Sequence, residues 1–161
     1  MKKVLILQGG FNEEHKVSLN SAKEVAKALQ ELKIYFKFLT VNSRTFNKDI
    51  KKYSNEYICF NALHGTFGED GKIQKILKEE KFKCTHSNIK SSFNCFNKIN
   101  SKKIVNKHKI LTPPHQVVSC KNITYNYLHE IKKNFQKFVI KPACSGSSHG
   151  LKIIKFQKDF D

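Results

Sequence analysis

The sequence has no tryptophan, one methionine, 3 prolines and 7 glycines in 161 residues. So little proline and glycine excludes collagen-like and proline-rich chains. No long apolar run is present, so no transmembrane helix is predicted. The basic tip Met1-Lys2-Lys3 is followed by a short apolar run from Val4 to Leu7. A secretory signal needs a longer apolar core and a small-residue cleavage site, so the expected compartment is the cytoplasm. Acidic residues are scarce too: 13 Asp+Glu against 30 Lys+Arg give a formal net charge of +17. Within the basic set arginine, the usual bidentate reader of bases, is almost absent.

What is present is enough for a core. Hydrophobic residues make up 39 % of the chain, with 13 Phe and 5 Tyr, which argues against a disordered chain. The length suits one ordinary domain or two small ones. The lysines are spread widely among Asn, Ile and Phe, as AT-rich coding would give, and read chiefly as solvated surface rather than a specific nucleic-acid footprint. An anionic substrate still gains from the field. The five cysteines, Cys59, Cys84, Cys95, Cys120 and Cys144, form no C-x-x-C pair. Their odd number argues against a disulfide framework. Cys59 reads as a core thiol.

Hydrophobic spacing predicts a strand at residues 4–7 and a helix at 18–32 with Ala22, Val25, Ala26 and Leu29 on one face. Ser18 or Ser21 would cap that helix, and Ser21 with Glu24 fits a capping box. Strands follow at 35–41 and 57–63, with a possible short helix between them. Asp70 would cap a helix carrying Ile73, Ile76 and Leu77. This rhythm implies βαβ crossovers and a parallel sheet. Beyond residue 82 the pattern changes. Helices are predicted over 91–109, in one or two pieces, and over 123–135. Strands are expected at 115–118, 138–141 and 151–155, with an acidic cap opening a helix near the end.

In such folds ligand groups gather at the carboxyl ends of strands. Gly9-Gly10 and His64-Gly65 fall there. Gly9-Gly10 is not a G-x-G-x-x-G fingerprint, so dinucleotide binding is unsupported. A carboxylate of Glu13 or Glu14 can hold an ammonium group, or belong to a solvated acidic loop. His64 can donate to an anion, or merely cap its strand. Lys141 leads into Pro142-Ala143-Cys144-Ser145-Gly146-Ser147-Ser148-His149-Gly150. Such a Gly/Ser loop offers N–H and hydroxyl donors to phosphate, or is a flexible turn. It is not a P-loop, and the histidines show no metal-binding spacing.

Three segments together resemble one family. Gly9-Gly10-Phe11-Asn12-Glu13-Glu14-His15-Lys16-Val17-Ser18-Leu19-Asn20-Ser21-Ala22 resembles the first glycine-rich loop and helix of D-alanine–D-alanine ligases. Asn61-Ala62-Leu63-His64-Gly65-Thr66-Phe67-Gly68-Glu69-Asp70-Gly71-Lys72-Ile73-Gln74 is similar to their second signature. Val139-Ile140-Lys141-Pro142 with Gly146-Ser147-Ser148-His149-Gly150 is similar to their first ATP-grasp loop. The resemblance implies a Rossmann-like α/β parallel-sheet domain over residues 1–95 and an incomplete ATP-grasp α+β subdomain over 96–161. It implies ATP-dependent joining of two D-alanines through an acyl phosphate, for peptidoglycan precursors. By resemblance, Glu14 anchors the first D-alanine's ammonium, with Ser18 supporting it. His64 donates to charge developing at the acyl phosphate. Lys98 and Lys141 contact ATP phosphates. Ser147 cooperates with Glu14 to place substrate, and Ser148 offers N–H groups over phosphate.

Lys16, Asn97 and Ser145 stand where the family usually carries acidic residues. Family members are about twice as long as this chain, and their ligands for Mg²⁺ (or Mn²⁺) fall in the part that is missing here. The 161 residues are therefore expected to be inactive alone, as a truncated or split-gene portion or a relic. A separate C-terminal half would be its partner, and the family is typically homodimeric. A related D-alanine–D-lactate or D-alanine–D-serine ligase is an alternative, and a basic nucleic-acid-binding protein a remoter one.

Overall fold

Alternation along the first strand sends its side chains to two different cores. The computed structural model describes residues 2–160. In β1, Lys3–Gly9, Leu5 and Leu7 join one buried cluster and Val4 and Ile6 another. A strand buried on both faces belongs inside a parallel sheet. β1 pairs in parallel with β2, Tyr35–Val41, on one side and β3, Tyr57–Asn61, on the other. A short β4, Lys83–Cys84, completes the order β2-β1-β3-β4. The helix α1, His15–Glu31, covers Val4 and Ile6 with Ala22 and Ala26. The opposite face is covered from α2, Phe46–Asp49, by Phe46, and from α3, Lys72–Glu79, by Ile73 and Leu77.

These elements, with α4 at Ile89–Phe96, make one compact unit that runs to Asn97. A second unit starts at Lys98. It contains α5, Lys98–Lys107; α6, Tyr125–Phe135; and the antiparallel pair β5, Phe138–Ile140, with β6, Lys152–Ile154. No helix among the described residues is long and apolar enough to cross a membrane.

The structure corrects several local expectations. α1 begins at His15, ahead of both predicted caps, and no side chain caps it. The Ser18 hydroxyl instead accepts from Gly9 N at 2.8 Å, and Ser21 Oγ meets His64 Nε2 at 2.9 Å. Both hydroxyls are spent on tertiary contacts. The cap residue of α3 is Gly71, at φ +92°, not Asp70. Asp70 sits one place earlier and accepts from Lys72 N at 3.1 Å. A side chain at Gly71 would strike the Ile89 carbonyl at 2.9 Å, so glycine is required there. β3 stops at Asn61, whose amide turns onto Gly68 O at 2.8 Å. The strand predicted over 115–118 is absent. Residues 110–119 carry no regular structure and Val117 is 63 % exposed. A strand without a ladder partner gains nothing to offset its entropy. The predicted terminal helix is a 3₁₀ turn, Gln157–Phe160, whose Asp159 accepts from Lys155 N and Phe156 N, both at 2.8 Å.

Cys59, on β3, is fully buried in the larger core cluster. Burial, reinforced by Cys84, pushes its thiol from 9.0 up to about 12. The fold therefore keeps the neutral form while an unfolded chain ionises. This contribution to stability is expected to be complete below pH 9.0 and lost progressively as pH rises towards about 12. Urea midpoints measured on either side of pH 9.0 should show the alkaline slope flattened in Cys59→Ala.

Candidate functional site

Because β1 and β3 are adjacent and parallel, the loops that leave their carboxyl ends emerge side by side. The chain reverses its direction of growth between these strands, and that is where open α/β sheets bind ligands. Gly9 and Gly10, at φ +89° and +92°, turn the chain out of β1. The turn brings Glu14 to the start of α1 with only 5 % exposure. The solvated-loop reading of Glu14 is thus wrong: its carboxylate is largely removed from water. A buried carboxylate is costly unless it meets donors or a cation.

His64 lies on the facing loop. Its Nε2 is 2.9 Å from Ser21 Oγ, and its Nδ1 is 4.0 Å from Glu69 Oε1. Glu69 is held in turn by Gly65 N, which donates to Oε2 at 2.9 Å. His86 adds a third ionisable group to this neighbourhood. Desolvation, opposed by Glu69 and helped by His64, holds it below the ordinary imidazole range. A crevice of about 50 Å³ between the loops is lined by Gly10, Phe11, Leu63, His64 and Thr66. A wider open groove of about 660 Å³ runs along the ends of β1 and β2 past Glu13, His15 and Thr40.

Gly65 shows how closely the loops approach. It sits at φ +72°, and an added Cβ would lie 2.4 Å from Glu14 Oε2 and 3.0 Å from Asn12 Nδ2. Gly65→Ala is expected to cost about 1–2 kcal/mol for the left-handed backbone alone, and it also pushes the Glu14 carboxylate aside. A urea titration reads the first effect.

In the second unit, Lys98 opens α5. Its backbone N donates to Ala143 O at 2.9 Å and its Nζ to Ser145 O at 2.7 Å. The ammonium therefore secures the Gly/Ser loop itself. Lys141 follows β5 and is exposed. Ser147 and Ser148 are both exposed and hold left-handed backbone, at φ 44° and 60°. Successive non-glycine residues in that region cost energy, and such strain gathers at functional sites. The loop is closed by His149 N to Gly146 O at 2.9 Å and Leu151 N to Ser148 O at 3.1 Å. Cys144 is exposed in the same loop.

Sequence reasoning missed Asn12, Ser21 as a histidine partner, Glu69 and His86. The register of β1 against β3 brings Asn12 and Ser21 to the His64 loop; Glu69 lies in that loop itself, and His86 follows β4. The signal that was available is the pair of glycines bounding each loop. Among the described residues no group of three or more His, Cys, Asp or Glu is placed to hold a metal ion.

No protein-family model matches the chain. The D-alanine--D-alanine ligase of Pelagibacter ubique (strain HTCC1062) is 42 % identical over 149 residues, which is 91 % of this chain and 48 % of that protein. The ligase of the same name from Wolbachia sp. subsp. Brugia malayi (strain TRS) is 40 % identical over 157 residues, 98 % of this chain and 44 % of its own length. Among solved structures, the D-alanine--D-alanine ligase of Bacillus anthracis superposes with a TM-score of 0.77 at 27 % identity, over 99 % of this chain and 51 % of that one. The chain thus spans about half the length of the relatives it matches. Two glycine-bounded loops at the ends of adjacent parallel strands, a Gly/Ser loop between antiparallel ones, and an alignment that runs over nearly the whole chain lead to one conclusion: the chain matches the D-alanine–D-alanine ligase family over about half the length of its members.

Proposed function

We propose that these residues supply the first-substrate and phosphate-contacting part of a D-alanine–D-alanine ligase acting in the cytoplasm. The observation that carries this reading is the buried Glu14 carboxylate beside the His64 loop. A desolvated carboxylate is a strong anchor for the ammonium of a small amino acid. His64 then donates to negative charge at the substrate's carboxyl end. Ser18 fixes the loop through Gly9 N and keeps Glu14 in place.

Residues 1–95 are read as the pre-ATP-grasp domain and 96–161 as the first part of the ATP-grasp domain. The second unit fits the polyphosphate of ATP through the chemistry of its loop. Lys141 is exposed, Ser147 and Ser148 present hydroxyls and strained N–H groups, and Lys98 holds the loop's shape. Ser147 also helps place the substrate. ATP, when bound, supplies the phosphoryl group that activates the first D-alanine carboxylate, and the second D-alanine's amine then displaces phosphate. The described residues bring together no donor set that fits magnesium or manganese, so no step is assigned to the ion. Ligation therefore needs the residues that the longer relatives carry, from a second polypeptide or a longer chain, in a homodimer as the resemblance implies.

Titrating the ¹⁵N-labelled chain with D-alanine and with L-alanine tests the reading. D-alanine is expected to shift the amides of Glu14, His64 and Gly65, and L-alanine to do so more weakly. No shift with D-alanine would overturn the substrate assignment. ATP- and D-alanine-dependent phosphate release from the purified chain is expected to be absent. Turnover at the rate of a full-length relative would refute the claim that only part of the site is here.

A further inference from the structure

We propose that Asn12 is the positioning residue that holds Glu14 and His64 in mutual register, by clamping the loop after β1 to the loop after β3. Its side chain is used at both ends. Nδ2 donates to His64 O at 2.8 Å and to Thr66 O at 3.2 Å, across 52 and 54 residues of sequence. Oδ1 accepts from Glu14 N at 3.0 Å. One amide therefore fixes the backbone on which the carboxylate is carried and the backbone on which the imidazole is carried.

The assignment of ends is dictated by chemistry: two carbonyls need two N–H donors and an N–H needs an acceptor, and a carboxamide supplies all three from one planar group. Serine has a single hydroxyl, and aspartate has no donor at all. Gly65 completes the clamp by leaving out a Cβ that would meet Asn12 Nδ2 at 3.0 Å. Glu14 is the N-cap residue of α1, and its own side chain caps none of the helix's N–H groups. The first of those donors lack intrahelical partners, and Asn12, by accepting from Glu14 N, anchors the helix start from which Glu14 projects. What the clamp is for rests on the reading of Glu14 and His64 as contacts to the amino acid; its geometry does not.

Amide hydrogen exchange on the 161-residue chain separates the two ends. In Asn12→Ala, exchange is expected to quicken about tenfold or more at Glu14 N, which loses its acceptor, and at Gly65 N, whose bond to Glu69 Oε2 depends on the loop that Asn12 holds, with Leu5, Ile6 and Leu7 unchanged. In Asn12→Asp, the carboxylate still accepts from Glu14 N but repels the His64 and Thr66 carbonyls. Protection should then survive at Glu14 and be lost at Gly65. D-alanine affinity should fall about tenfold in both variants. Unchanged protection in Asn12→Ala, or equal loss at both amides in Asn12→Asp, would overturn the clamp. So would undiminished D-alanine affinity in the two variants. Should the alanine variant lose protection at Leu5–Leu7 as well, it has unfolded and the aspartate variant decides. If the unaltered chain binds no D-alanine, the substrate assignment falls while the exchange pattern still decides whether Asn12 joins the loops.

Discussion

Glu14→Gln is expected to lower the affinity of the chain for D-alanine about a hundredfold or more, with the fold intact. Glu14 is 5 % exposed, so its attraction for an ammonium is little weakened by water or salt. Removing one partner of a buried charge pair costs about 3–5 kcal/mol, because the other charge is left uncompensated. Glutamine keeps the shape and one acceptor oxygen. It replaces the second oxygen by a donor that faces the ammonium with the wrong polarity. The comparison is a calorimetric or NMR titration of both proteins with D-alanine at neutral pH. Glu13→Gln serves as the reference, since that side chain is exposed at the rim of the wider groove. If the two variants bind alike, Glu14 is not the anchor. Raising the salt concentration should weaken binding only slightly in the unaltered chain, which distinguishes a buried pair from general attraction by the +17 charge.

Phe46→Ala is expected to be the most damaging single truncation in the first unit, at about 3–5 kcal/mol. Phe46 comes from the four-residue α2 and is 0 % exposed. Its ring meets Phe67 edge-on, with centroids 5.8 Å apart at 84°, a favoured aromatic geometry. It also packs among Leu39, Val41 and Ile50 in the larger core cluster. A helix of one turn has almost no intrinsic stability and is held by that ring. Truncation therefore opens a cavity and frees α2 together with the Phe67 end of the second loop. A unit of ordinary stability has about 5–15 kcal/mol to lose, so the urea midpoint should fall steeply. Phe93→Ala is the control: that ring is 53 % exposed, and its removal should cost about 0.5 kcal/mol or less. Comparable losses in the two variants would show that Phe46 is not the anchor of this layer.

Much of the molecule was legible because its signals are local. Val4–Leu7, Tyr35–Val41 and the start of Tyr57–Asn61 are apolar or β-branched runs between turn residues, and each forms a strand. Ala22, Val25, Ala26 and Leu29 repeat at helical spacing, and the helix buries or half-buries that face. The three family-like segments were legible for the same reason, being short and continuous. Illegible were the uses of polar side chains whose partners lie far along the chain. Ser18 and Ser21 look like caps in one dimension. In three dimensions one hydroxyl secures Gly9 and the other meets His64, 43 residues away. His115–Val118 has a strand's composition, but no described strand lies beside it.

The sequence alone determined the strand–helix–strand rhythm of the first unit, the parallel α/β class, the glycine-bounded loops and the family resemblance, since periodicity, turn chemistry and motif order all act over a few residues. Tertiary structure alone decided that Glu14 is buried, that His64 sits between Ser21 and Glu69, and that Asn12 ties their loops together. The reason is the pairing of β1 with β3. Desolvation and hydrogen bonding depend on which distant groups become neighbours, and that is fixed only once the strands are in register.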